Sequence, residues 1–274
     1  MLHANYHSHL LYCNHAHGHV EDYIKIALKY NFKELGISDH APLLPCVMSS
    51  LEFERFGRNY NTMTLDTALR RYIPEVEEAK RKYKDRIKIL SAFEIEYFPM
   101  NDFFVRYLRK RVDYLNLGVH LFEYKENLLN SYRDIDYDTI YFYLEACISG
   151  MKTGLFNTLV HPDLFMYGYK DVNGNRCFDE HCKVVSKAII EAAIKYNVYL
   201  ELNANGIYNS RKSPVWLYPC REFWEIAKQY TNLKIIIGAD AHTPKALNCK
   251  YTEQAEEFAK ELGLPICETM EVNH

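Results

Sequence analysis

The feature that most constrains this chain is a recurrence: a short apolar run ends in a polar, metal-competent residue and is followed by a stretch with helical spacing. The runs are Asn5-Tyr6-His7-Ser8-His9, Leu35-Gly36-Ile37-Ser38-Asp39-His40, Ile87 to Glu94, Tyr114 to His120, Leu159-Val160-His161, Val198 to Asn203, and Ile235 to His242. Between them, Val20, Tyr23, Ile24, Ala27 and Leu28 share one helix face. Leu69, Tyr72, Ile73, Val76 and Ala79 do the same, as do Val185, Ala188, Ile189 and Ala192, and finally Ala255, Phe258, Ala259 and Leu262. Strands alternating with helices imply βαβ units and a parallel sheet, and roughly seven units suit closure into a barrel better than two layered domains. In such barrels the carboxyl ends of the strands meet at one mouth, and here those ends carry His, Asp and Glu.

The rest of the chain is compatible with one α/β domain over residues 1–274. It has no Gly/Ser-rich linker, low-complexity block or repeat that would mark a boundary. Lys and Arg number 33 against 36 Asp and Glu, a net charge of −3 that argues against a general nucleic-acid binder. No apolar stretch reaches the ~18 residues that span a bilayer, and the first residues lack a signal-peptide pattern, so a cytoplasmic protein without a membrane partner is expected. The eight cysteines include no CxxC pair and read as reduced thiols. Half of the twelve histidines (His3, His7, His9, His15, His17 and His19) fall within the first nineteen residues, a clustering that asks for a chemical reason.

His7 and His9, two apart at a strand end, face the same side and can reach one metal ion. One histidine of the following loop, His15, His17 or His19, is expected to join them. Asp39-His40, His120, His161 and Asp240-Ala241-His242 close further runs, and Glu94 and Glu96 share a face, so spacing alone leaves either as the ligand able to bridge two cations. Each position alone has an ordinary explanation, since strand-end acids cap helices and structural histidines are common. Their convergence on one mouth does not. The mixture of imidazole and carboxylate suits divalent Zn, Mn or Fe rather than Ca or Mg, and the number of candidates calls for two or three ions.

Taken in order, His7-x-His9, Cys13-x-His15, Ser38-Asp39-His40-Ala41-Pro42, Phe93-Glu94-Ile95-Glu96-Tyr97, Gly118-Val119-His120, His161-Pro162-Asp163, Glu201-Leu202-Asn203 and Gly238-Ala239-Asp240-Ala241-His242 resemble the polymerase and histidinol phosphatase (PHP) superfamily over nearly the whole chain. The Asp-His-Ala-Pro and Glu-Leu-Asn elements point to its histidinol-phosphate phosphatase branch. The resemblance implies a distorted (β/α)7 TIM-like barrel holding three metals. By the same resemblance the first would take His7, His9, Glu94 and Asp240. The second would share Glu94 and add His120 and His161, and the third would take His15, His40 and His242. Ala92 stands where the family usually has Gly and Glu96 where it has Asp, and neither change removes a ligand.

The activity implied is hydrolysis of a small phosphomonoester, L-histidinol phosphate, in histidine biosynthesis. A hydroxide held between two metals would be the nucleophile, Asp240 the proton carrier, and Glu94 and His242 its partners in the catalytic group. Arg211 and Lys212 are the expected phosphate clamp, with Glu96 and Asp163 as acids near the substrate amine. The long segment Leu43 to Thr64 would cover the site. Alternatives within the superfamily are a protein-tyrosine phosphatase and a nuclease-like phosphodiesterase. Outside it stands a non-catalytic metal-binding module.

Overall fold

The structure is a computed structural model that describes residues 2–43, 62–125, 127–213, 218–247 and 249–272. Seven strands form one parallel sheet in the order β1 (Ala4–Asn5), β2 (Glu34–Ile37), β3 (Lys88–Ile95), β4 (Tyr114–Leu117), β7 (Thr158–Leu159), β8 (Tyr199–Asn203) and β9 (Ile235–Gly238). β5 (Leu121–Tyr124) and β6 (Asn127–Asn130) make a separate antiparallel hairpin. The helices that return the chain are α1 (Val20–Lys29), α2 (Ile73–Tyr83), α3 (Asp102–Arg109), α4 (Ile140–Lys152), α5 (Glu180–Tyr196), α6 (Ala204–Ser210), α7 (Arg221–Ala227) and α8 (Cys249–Leu262).

The sheet curls until its outer strands meet. Beyond β1 and β9, Ser8 pairs with Ala241 in parallel, with His9 N–H donating to Ala241 O at 2.9 Å. Before that bridge the Asn5 side chain takes the place of a ladder bond, its Oδ1 accepting from Ala239 N–H at 2.7 Å. The barrel is thus nearly closed, and it closes at the end where the candidate ligands sit. Most strand residues are buried on both faces, as a parallel sheet sheathed in helices requires.

The expected helix faces pack on this barrel with one shift. Leading into α2, residues Ala68–Tyr72 form a π turn, and its extra residue per turn brings Ala68 rather than Leu69 fully inside, ahead of Tyr72, Val76 and Ala79. On the opposite side Gly150 lets α4 lie close on β4, since a Cβ there would stand 2.4 Å from Leu117 Cδ2.

Candidate metal centre

The chemistry-bearing side chains leave the barrel just past the strand ends, where backbone geometry is irregular. His161 and Asp240 take left-handed φ values of 35° and 47°, a conformation uncommon for residues with a Cβ and held here by neighbouring contacts. His7 and His9 flank the Ser8 bridge, and His40 pairs with Glu94 across the ends of β2 and β3. Gly118 makes room for Glu94: a Cβ at that position would lie 2.5 Å from Glu94 Oε1.

Four donor atoms meet at the centre. His7 Nε2 lies 3.0 Å from His9 Nε2, 3.2 Å from Glu94 Oε2 and 3.6 Å from Asp240 Oδ1. His9 Nε2 lies 3.4 and 3.2 Å from the same two oxygens. Glu94 Oε1 faces the other way, 3.0 Å from His161 Nε2 and 3.3 Å from His120 Nε2. The Glu94 carboxylate therefore offers one oxygen to each of two donor groups. His9, His40 and His242 bring nitrogens together as a further group. The His15 ring stands 5.0 Å from that of His40 and 5.2 Å from that of His242, while its Nδ1 donates to Cys13 O at 2.8 Å.

The arrangement fits metal ions on its own chemistry. A tetrahedron with metal–ligand bonds of ~2.0–2.1 Å has edges of about 3.3 Å, and the five contacts just given among His7, His9, Glu94 Oε2 and Asp240 Oδ1, 3.0–3.6 Å, cluster near that value. Hydrogen bonding selects the nitrogens. His7 Nδ1 is 2.7 Å from Glu201 Oε1 and His120 Nδ1 is 2.9 Å from Glu96 Oε1, and since a carboxylate only accepts, both Nδ1 atoms carry protons and both Nε2 lone pairs turn to the cluster. His242 Nδ1 is likewise spent on Asp240 O at 3.1 Å. His9 Nδ1 is buried without a hydrogen-bond partner, 3.5 Å from Asp39 Oδ1.

Electrostatics point the same way. Burial alone would raise the Glu94 carboxyl, yet His40, His120 and His7 hold it well below the usual carboxylate range, and His7 and His9 do the same for Asp240. Burial, helped by His9, keeps His242 neutral by pushing it down to about 4, and lowers His40 as well. His7 and His9 are instead held above their ordinary value, His9 at about 9, because the carboxylates around them outweigh burial. The acids are ionised and His40 and His242 neutral, and a cation at the centre would take the place of the protons that His7 and His9 hold there.

A cavity of about 470 Å³ opens over this cluster, lined by His15, His40, Glu94, Glu96, His120, His161, Asp240 and His242 together with Thr62, Asn130, Tyr132, Arg133 and Tyr167. All nine expected metal-ligand positions are in or beside the cluster. His17 and His19 are not: both are exposed, and His19 Nδ1 pairs with Glu75 at 3.2 Å. Glu96 lines the cavity while acting on His120.

Two expectations meet a different arrangement. Arg211 and Lys212 follow α6 on the outer surface, where the Arg211 guanidinium reaches Glu257 of α8 at 3.5 Å and Lys212 Nζ lies 3.5 Å over the Tyr208 ring. Neither lines the cavity; α6 carries them away from the strand ends. Asp163 is fully buried behind the His161 turn, its Oδ2 accepting from Cys220 N–H at 2.5 Å and Trp224 Nε1 at 3.1 Å, and burial pushes its carboxyl up to about 7. It is a structural hub rather than an acid at the mouth. Of the segment expected to cover the site, residues 44–61 lie outside the described residues.

Among the described residues the Lys or Arg that lines the cavity is Arg133, which sequence reasoning missed. It follows β6, and the hairpin return is pinned to the site by Ser131, whose N–H donates to His120 O at 2.8 Å and whose Oγ donates to Val119 O at 2.7 Å. Tyr132 then lies parallel to the His120 ring at 6.2 Å. The hairpin is an insertion into the βα repeat, so its return loop has no periodic signature. Glu201, Asn203 and Asn205 were likewise without an assigned role. Asn203 Nδ2 donates to Glu201 Oε2 at 3.0 Å and to Asp240 Oδ2 at 3.2 Å, and Asn205 Nδ2 to Asp240 Oδ2 at 3.3 Å.

Comparison with known proteins adds to this geometry. The family model for the PHP domain matches residues 5–205. The chain is 23% identical to a histidinol-phosphatase of Bacillus subtilis over 86% of this chain and 92% of that protein. Its fold resembles a histidinol phosphate phosphatase of Lactococcus lactis, solved with zinc, L-histidinol and phosphate, at a TM-score of 0.72 and 15% identity, covering 99% and 100% of the two chains. It also resembles a metal-dependent tyrosine phosphatase from a study of Bacillus subtilis and Streptococcus pneumoniae enzymes, at a TM-score of 0.52 and 14% identity, covering 96% and 88%.

Proposed function

The chain belongs to the PHP domain family, and from that premise we propose that it is a metal-dependent phosphomonoesterase that hydrolyses L-histidinol phosphate to L-histidinol and phosphate. The observation that carries the reading is Glu94, a buried carboxylate with one oxygen in each of two donor groups at the floor of a substrate-sized cavity. His7, His9, Glu94 and Asp240 would hold one ion, Glu94, His120 and His161 a second, and His15, His40 and His242 a third, zinc, manganese and iron all suiting these donors. Ions held by these residues would supply an activated water as the nucleophile and neutralise phosphate charge.

The chain's own groups do the rest. Arg133 lines the cavity, and its guanidinium would give phosphate a two-pronged contact. Tyr132 and Tyr167 line the same cavity and give a flat apolar surface for an imidazole ring. Asn203 and Asn205 fix Asp240 through Oδ2, which leaves that carboxylate oriented to take a proton from the attacking water and return it to the leaving alkoxide. His242 borders Asp240 on the cavity side, its Nδ1 3.4 Å from Asp240 Oδ1. In this reading the whole chain acts as one catalytic domain in the cytoplasm, in keeping with the unpaired thiols of Cys13, Cys147, Cys182 and Cys220.

The test is phosphate release from metal-replete protein, with histidinol phosphate beside other phosphomonoesters and a phosphotyrosine peptide. The reading expects the highest kcat/KM for histidinol phosphate. A far better kcat/KM for the peptide would replace the small-metabolite assignment with that of a protein phosphatase, and no turnover of any ester would leave a metal-binding module.

A further inference from the structure

Glu201, the middle residue of β8, has no atom in the donor groups at the centre, yet it is fully buried and saturated with donors from separate parts of the barrel. Its Oε1 accepts from His7 Nδ1 at 2.7 Å. Its Oε2 accepts from the His161 backbone N–H at 3.0 Å and from Asn203 Nδ2 at 3.0 Å. His7 and His161 address opposite oxygens of Glu94, and His161 is one of the two ligand candidates with left-handed φ, at 35°. The neighbouring strand is shaped around this carboxylate: Gly238 of β9 faces Asn203 in register, and a Cβ on it would stand 1.7 Å from Glu201 Oε1.

We propose that Glu201 is a positioning residue that prepares two ion sites at once, fixing which nitrogen of His7 faces the centre and anchoring the turn that aims His161. Neither job is done by another described group: the proton on His7 Nδ1 has Glu201 opposite it, and the strained His161 backbone has its N–H tied to Glu201. Both partners, and Asn203 as third, are N–H donors, so only a group with two acceptor oxygens satisfies all three. A glutamine has one oxygen. With it turned to His161 and Asn203, the amide N–H₂ meets His7 Nδ1–H, which drives the ring to the tautomer with its proton on Nε2 and removes the lone pair from the cluster. Turned the other way, it leaves the His161 turn without its acceptor.

This inference rests on the reading of the cluster as a metal centre. Metal-stripped wild type and Glu201→Gln are titrated with Zn²⁺ by calorimetry, the stripped proteins are melted in parallel, and the imidazole N–H proton region of the zinc-loaded proteins is recorded by NMR. The expectation is unchanged melting without metal, ten- to hundredfold weaker zinc binding in the variant, and loss of the downfield resonance of His7 Nδ1–H. If the glutamine variant melts early, Glu201→Asp, which keeps both oxygens but withdraws them by one methylene, is measured instead with the same expectation. Zinc affinity and the imidazole resonance both unchanged in a folded variant overturn the role of Glu201 alone. A wild type that takes up no zinc overturns the metal reading and this role with it.

Discussion

At the scale of single residues, the two carboxylates of β3 and its exit illustrate how one strand divides its work. Glu94 and Glu96 share a face, but Glu94 spends both oxygens at the centre while Glu96 Oε1 holds His120 Nδ1 at 2.9 Å. Glu94→Gln should therefore remove detectable turnover and lower metal content, whereas Glu96→Gln should retain the ions and lose about ten- to hundredfold in activity; steady-state kinetics with elemental analysis of each variant separates the two. The reverse order would mean that Glu96, not Glu94, joins the ions. Cations divide in the same fashion. Arg133 lines the cavity and Arg211 is on the surface with Glu257, so Arg133→Ala should cost about 1.5–3 kcal/mol of transition-state binding, roughly ten- to hundredfold in kcat/KM, with metal content intact. Arg211→Ala should match wild type in the same assay, and an effect as large as that of Arg133→Ala would restore the surface pair as the clamp.

Among the elements, helices and strands were legible wherever burial imposed a period, and illegible where a local exception intervened. The apolar spacing in α1 and α5 put Val20, Tyr23, Ile24 and Val185, Ile189 inside as drawn. The π turn before α2 escaped, because one extra residue in a turn shifts the face without altering composition. Close approach is also an element property: Gly150 is the point at which α4 meets β4. Gly150→Val should destabilise the protein by about 1–3 kcal/mol, since the added carbons meet the Leu117 side chain in a packed core. The urea midpoint reports it, and an unchanged midpoint would show that Leu117 has room to repack. The loop before α1 makes a parallel contrast. His15→Ala should reduce the number of bound ions and His17→Ala should not, because only the first of these side chains lines the cavity; equal losses from the two variants would mean that the loop supplies its ligands differently.

For the whole molecule, the barrel gathers ionised acids and imidazoles at one mouth in groups spaced to share cations. Metal loading should therefore stabilise the fold. At a free concentration one hundred times the dissociation constant each ion contributes about 2.7 kcal/mol, so chelation should lower the melting temperature by at least ~5 °C, and a melt insensitive to chelator would contradict this coupling. What the amino-acid sequence determined by itself was the repeat and its chemistry: strand-ending His, Asp and Glu at a βα period lead to a parallel barrel with its polar residues at one rim, because periodicity and burial are local constraints. What only the tertiary structure decided was the division of roles at that rim. Glu94 against Glu96, Arg133 against Arg211, the burial of Asp163 and the service of Glu201 to two histidines all depend on which atoms lie within about 3 Å. Those distances are set by how the strand exits, the inserted hairpin and α6 turn relative to one another, and no spacing along the chain encodes them.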